Sequence, residues 1–523
     1  MKHPTKQHHS SIEPLEPRIA PATLVGNVLT YTDLDGDLVK VTFTKATMDS
    51  GNFTFSTGSA NDGVDTPRTL DAINLGGKTG AGFTLTATPH AGKGDSHANV
   101  AKIFCNISTA LGKVKVDGDV VAITSSGGDL SVESFSALSM GLSSSVGVTT
   151  NSYLLSAGTF SVKGSVVNVA LDFSGGVKSV SIGGNLGAIT TDTFLHIGGA
   201  VGSFKVGGSI IGKGTARTVS VGGDVGAFSV GGSIIGGPDD LPYGVYQIDL
   251  FTAKSITVGG DLRGGPGDGG GSINVGGTVA TVKFGGSMIG SPGVDRSGSF
   301  SGASVGTFTL GHDLVSTSLS PAATINGAIR LSGNLSSIKI GGDITAGVAN
   351  ITVHSPSIGA DGAIGSITVG GSIVGSASHP VYILAGGLGG SVALKSLTVK
   401  HDVIMASIVA GYGANGFVAN TDAGIGSIVI GGNLTGTQID AGSARGSDNL
   451  PGTVDDLLIG GSLARIDSVK IGGALTGIEG DSTTYYIQGP VVKKATIGKA
   501  SYGPIHGNIE FNSIGKSAIS ALV

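Results

Sequence analysis

Near the start of the 523-residue chain, Asp33-Leu34-Asp35-Gly36-Asp37 sets three carboxylates at alternating positions around a glycine. Hard oxygen donors spaced in this way suit Ca²⁺, which takes six to eight oxygens in flexible geometry. The complete calcium loop of helix–loop–helix sites is absent, because Thr44 stands where its last acidic ligand belongs. An Asp-Gly turn between two strands explains the same residues. The expectation is therefore either no cofactor or calcium, held by Asp33, Asp35 and Asp37.

Other reactive residues are weaker candidates. Asp448 to Asp456 form a second acidic loop that reads as a solvated insertion. Gly264-Gly265-Pro266-Gly267-Asp268 lacks the tandem copies and aspartate spacing of calcium-binding nonapeptides. His312 and His401 occupy one repeat position three repeats apart, ~14 Å in stacked strands, whereas ligands of one zinc lie ~2 Å from it. They replace glycine in turns. His8-His9 stands where nothing fixes a metal geometry.

Catalysis on polysaccharides would need several carboxylates converging on one face, with a basic group near the cleaved bond. The outward repeat column that begins Ser181, Lys205, Ser229, Thr257, Lys283 and is read as ending at Leu458 carries no carboxylate. No enzyme is expected. Aromatic residues between repeats, Tyr243, Tyr246, Tyr412, Phe417, Tyr485 and Tyr486, are the candidate ligand-binding loops. Tyrosine offers contact area at low entropy cost, although rings that merely cover corners of the fold explain these positions too.

All of these residues hang on a repeat. Val201 to Gly212 returns 24 residues later as Val225 to Gly236. With the second residue of each Gly-Gly turn as zero, copies fall at 184, 208, 232, 260, 286, 312, 342, 371, 401, 432 and 461, with apolar residues at −4, −2 and +2. Alternation at period two ending in glycine is a half-buried strand. A spacing of 24–31 residues holds about three short strands and three turns, one rung of a β-solenoid. Gly199, Gly223 and Gly277 mark a second corner, and length variation is assigned to the remaining one. The +1 residues, among them Asn185, Ser209, Asp261 and Asp313, are expected to hydrogen-bond turn backbone, and the glycines to supply positive φ. Asp313 and Asp343 stack directly, a repulsion of about 0.9 kcal/mol in water.

The fold class expected is all-β: a right-handed parallel β-helix with capped ends. Residues 1–22 form a flexible segment, 23–105 an N-terminal β cap, 106–500 the β-helix and 501–523 a C-terminal cap. Glycine at 94 residues with only 13% charged residues is compatible with folded structure, because 39% is hydrophobic. A net charge of −5 gives no case for nucleic acid. Cys105 is the sole cysteine, so an intramolecular disulfide is impossible. No apolar run is long enough to span a bilayer, and the N-terminus lacks the apolar segment of a standard export signal.

Leu15-Glu16-Pro17-Arg18, followed by Ile19-Ala20-Pro21-Ala22 and then a glycine-rich β repeat, resembles the LEPR-motif, repeat-rich surface proteins of planctomycete- and verrucomicrobia-type bacteria. The Leu-Leu pair that continues the better-known motif is absent. The resemblance implies export to the cell surface by a route outside standard signals, and carries over no catalytic residue. The function expected is a non-catalytic secreted or surface β-solenoid, structural or adhesive. Its expected partners are cell-surface polysaccharide or other surface proteins; the alternative is a carbohydrate-binding or polysaccharide-cleaving β-helix.

Overall fold

The computed structural model describes residues 21–61, 63, 66–90, 93–106, 108–126, 128–143, 150–187, 194–212, 218–237, 247–266, 269–291, 296–317, 326–346, 357–376, 379–387, 392–444, 446, 456–459, 463–479 and 484–511. The LEPR segment, His8-His9 and the last twelve positions lie outside them. The chain divides into two compact units, Met1–Leu138 and Ser139–Val523. Among the described residues, no helix is long and apolar enough to cross a membrane.

The first unit opens as an antiparallel meander. Thr23–Val25, Val28–Thr32, Asp37–Thr44 and Gly82–Pro89 pair successively in antiparallel register. Parallel pairing then takes over: Gly82–Pro89 with Thr109–Val116, and Leu70–Asn74 with Val100–Cys105 and then Asp119–Ser125. Val39, Val41 and Phe43 alternate inward along their strand, as a half-buried strand requires.

The second unit is a parallel β-helix with three ladders per rung. One column of its core runs Leu171, Leu195, Val219, Ile248, Ile273, Phe300, Ile329, Ile358, Ile383, Ile408, Ile439 and Ile487, paired from rung to rung and fully buried. A second ladder stacks Phe204 on Phe228, ring centroids 5.0 Å apart and nearly parallel. The third is short, with Ile210 on Ile234 and Leu262 on Met288. Burying each such side chain stabilises by about 1.5–3 kcal/mol, and the absence of charge from these columns lets them stack without a desolvation penalty.

The corners differ from the sequence expectation in their cause. None of Gly207, Gly208, Gly231, Gly232, Gly259 or Gly260 has positive φ. A Cβ on Gly207, Gly231 or Gly259 would instead overlap the carbonyl oxygen of the glycine one rung earlier. Close approach of backbones selects glycine here. The +1 side chains also act between rungs rather than within a turn. Asn185 Oδ1 accepts from the Ser209 amide (2.8 Å), Ser209 Oγ from Ser233 (3.1 Å), Ser233 Oγ from Asp261 (3.0 Å), and Asp261 Oδ1 from Ser287 (2.8 Å). The chain of bonds continues through Asp313, Asp343, Ser372, Asp402 and Asn433 to the amide of Ala474.

That last partner corrects the register. The copy read at 461 is not a rung. Ile430 pairs with Ile471 and Leu434 with Leu475, so the corner after Gly432 is Gly472-Gly473, and the step is 41 residues. Leu457 and Leu458 pair antiparallel with Ser443–Ala444 in an insertion. Leu457, Leu458, Ile459 and Leu463 are exposed, having the spacing of a rung without its neighbours. Insertions therefore occur at the second corner as well as the third. At that corner Val219–Val230 runs on as one strand, its register shifting between Val221 and Asp224. At the C-terminal end pairing turns antiparallel again, Tyr485–Val492 with Ile505–Phe511 and Ala495–Ile497 with Ala500–Tyr502.

Candidate metal centre

The three aspartates meet. One carboxylate oxygen from each of Asp33, Asp35 and Asp37 falls within 4.8 Å of the others. The turn forms because Asp33 closes it: its amide donates to the Asp37 carbonyl (3.0 Å), and its Oδ1 accepts from the amides of Gly36 (3.2 Å) and Asp37 (2.8 Å). Gly36 has φ +104°, a conformation that favours glycine. Asp37 then enters its strand in phase with Val39, Val41 and Phe43, which carries its carboxylate into the interior.

A second segment completes the site. The Asp95 amide donates to Asp35 Oδ2 (3.2 Å) and Asp37 Oδ2 (3.1 Å), and the His97 amide to Asp37 Oδ2 (3.2 Å). Gly94, at φ +102°, lies so close that a Cβ would overlap the Asp37 carboxylate. A cavity of about 250 Å³ opens between Tyr31, Asp33, Asp35, Thr69, Asp95, His97 and Asn99. Of the residues that line it, Tyr31 is 1% exposed and its hydroxyl has no hydrogen-bond partner. Asp37 Oδ1 and His97 Nδ1 also lack partners.

Burial sets the electrostatics, with neighbouring carboxylates adding to it. Burial, with a hydrogen bond shared with Asp35, pushes the Asp33 carboxyl up to about 7. The same hydrogen bond lowers Asp35. Burial and the Asp33 charge raise the Tyr31 phenol. Three carboxylate oxygens with a neutral phenol form a hard-oxygen donor set.

The other candidate residues do not form a second site. Tyr412 is corrected: it is fully buried in a cluster with Tyr382, Leu384 and Val409. Tyr485 is corrected likewise, buried and stacked on Phe511 at 5.8 Å. Packing against apolar neighbours leaves neither ring a surface for a ligand. Tyr486 is half-buried beside Glu510. Phe417 is exposed. Tyr243, Tyr246 and Asp448 fall outside the described residues. His312 and His401 sit exposed at corners, with backbone amides bonded to Gly286 and Gly371 of the preceding rung.

One feature escaped sequence reading. Asp440 is 1% exposed; its carboxylate accepts from the Ser443 hydroxyl and from Gln488 Nε2, while Oδ1 has no partner. Burial first, then the Asp456 charge, pushes it up to about 7. The outward column read from the repeat is a face. Ser181, Lys205, Ser229, Thr257, Lys283, Thr309, Lys339, Thr368, Thr398, Val429 and Lys470 stack outward along one ladder, with Lys470 at the position read as Leu458. Beside it runs Ser179, Ser203, Ala227, Ser255, Thr281 and Thr307. Asp467, the acid at the end of this face, is tied up by Lys493 (2.7 Å) and Arg465 (2.9 Å).

Comparison with protein-family models, with curated proteins and with solved structures finds no match to this chain.

Proposed function

We propose that the chain is a non-catalytic scaffold of the cell surface or its exterior, adhesive through the Ser/Thr/Lys face of its β-helix. The stacked outward columns carry the reading. Lys205, Lys283, Lys339 and Lys470 are exposed among hydroxyls, on a surface whose registered columns contain no carboxylate. Cations that recur two to four rungs apart along one straight column match a linear polyanion, and each contact adds little alone but sums along the array. The partner class is therefore an acidic surface polysaccharide.

Parallel stacking supplies the rigidity such an array needs. From Asn185 to Ala474 the rungs are joined by backbone ladders and by the Ser/Asn/Asp column at the corner. A second reading, sugar binding in a groove, is favoured by a cleft of about 360 Å³ lined by Asn274, Ser301, Arg330, Asp361 and Asn415. A glycan array probed with the full chain tests both. Salt-sensitive capture by acidic glycans supports the first reading, and capture of neutral glycans unaffected by salt supports the second. Cell fractionation tests the location: recovery only from the cytoplasm contradicts it.

A further inference from the structure

We propose that the cavity at the Asp33–Asp37 turn is a calcium site, and that its occupation fastens the segment Lys93–His97 onto the β-hairpin. This does not rest on the scaffold reading, since a chain that ignores polysaccharide could still bind the ion.

The donor set comes first. Three carboxylates offer oxygens within 4.8 Å of one another. Calcium takes oxygens at about 2.3–2.6 Å, so ligands on opposite sides of one ion lie at about that separation. The cavity leaves room for water to complete six to eight ligands, whereas Mg²⁺ demands a tighter octahedron.

An observation outside the acidic cluster points the same way. Tyr31 lines this cavity, and its hydroxyl is buried, without a partner and close enough to Asp33 to feel its charge. Buried polar groups are nearly always paired, and an orphan beside three carboxylates marks the place of something bound. Asp37 Oδ1 is a second orphan on a fully buried residue. The backbone is arranged around that oxygen, because any side chain at Gly94 would fill its space.

The surrounding bonds hold the ligands in place. Amides of Gly36 and Asp37 occupy Asp33 Oδ1, while amides of Asp95 and His97 occupy Asp37 Oδ2. Asp37 is thus oriented through Oδ2 and keeps Oδ1 unpartnered, while Asp33 and Asp35 share a hydrogen bond that a bound ion would replace. Support of this kind from outside the ligand set tunes metal affinity by about 10–100-fold. Because the amides come from two segments about 60 residues apart in sequence, an ion that fixes the carboxylates also fixes the segment that donates to them.

Terbium, a luminescent substitute for calcium, tests this on the full chain. The sequence has no tryptophan, so tyrosine is the antenna, and Tyr31 lies in the site. Tyrosine-excited Tb³⁺ emission should appear, be displaced by Ca²⁺ in preference to Mg²⁺, and weaken at least about tenfold in Asp35→Asn. Asp35 is exposed, so that variant is expected to fold. Tyr31→Phe should dim the emission and also weaken calorimetric binding of Ca²⁺, and Asp448→Asn, in the other acidic loop, should leave both unchanged. Calcium at a hundredfold over its Kd should slow thiol labelling of buried Cys105 by about a hundredfold where labelling requires unfolding. Absence of calcium heats in the wild-type chain overturns the proposal. So does emission insensitive to Asp35→Asn, emission lost in Asp448→Asn, or stronger displacement by Mg²⁺.

Discussion

The amide of Asp343 donates to Oδ1 of Asp313 at 2.8 Å, one rung to the next. Two aspartates stacked at this spacing would repel by about 0.9 kcal/mol in water, but the lower carboxylate is turned into an acceptor for the upper backbone. A charged acceptor of this kind contributes about 1.5–3 kcal/mol, which outweighs the repulsion. Like charges can therefore follow one another in the column.

Removing the acceptor should expose that balance. Asp313→Ala is expected to reduce hydrogen-exchange protection of the Asp343 amide by about tenfold or more, while Asp313→Asn keeps it near wild type. Exchange is the appropriate measurement because a solenoid opens locally as well as globally. Equal protection in the two variants would show that the side-chain bond is idle.

Corner glycines should resist substitution for a steric reason. A Cβ on Gly231 overlaps the Gly207 carbonyl, so Gly231→Ala is expected to cost more than about 2 kcal/mol, in the range of strain and overpacking. His312→Gly, at a position that already holds a side chain, should cost about 1 kcal/mol or less. Chemical denaturation of the pair measures the difference.

Register can be tested with two leucines. Leu463 is half exposed in the insertion, whereas Leu475 is 8% exposed and paired with Leu434. Leu475→Ala should destabilise by about 2–5 kcal/mol and Leu463→Ala by less than about 0.5 kcal/mol. The reverse order would restore the copy at 461.

Acid should favour the β-helix through Asp440. Its carboxyl keeps its proton up to about 7 in the folded chain but releases it near 3.9 when unfolded. The folded state therefore binds more protons between those values, and stability falls as pH rises through that window. The full effect is at most about 4 kcal/mol. Asp440→Asn should flatten this part of the pH dependence and raise Tm at pH above 7. An unchanged difference between acid and neutral melts would contradict the burial of this group.

Cys105 should stay silent to thiol reagents until its unit unfolds. It is buried, and burial pushes its thiol up to about 11, which suppresses the reactive thiolate. Labelling at the rate of a free thiol in native buffer would contradict this.

Much of the fold was legible because a solenoid writes its register into the sequence. Phe204, Val206 and Ile210 face the core as the period-two pattern requires. The pattern misled at Leu457–Leu463, where the local spacing is correct but neighbouring strands are absent; periodicity reports what a segment could bury, not whether anything lies beside it. The candidate metal centre was half legible. Asp33, Asp35 and Asp37 declare themselves by spacing, and Asp37 stands two before Val39, in phase with the core. Asp95, His97 and Tyr31 gave no comparable signal, since the first two arrive from a distant segment and Tyr31 reads as an ordinary strand residue. Tyr412 and Tyr485 were misassigned because aromatic composition does not distinguish an exposed ring from one closing a corner.

The adhesive face is the central claim, and it is tested most directly by co-sedimenting the full chain with an insoluble acidic polysaccharide against a variant carrying Lys205→Gln, Lys283→Gln, Lys339→Gln and Lys470→Gln. These lysines are exposed, so the fold should survive their loss. The expected result is binding that weakens steeply with salt, falls at least about tenfold in the variant, and leaves the polysaccharide uncut. Equal binding by both proteins, or cleavage of the polymer, would contradict it.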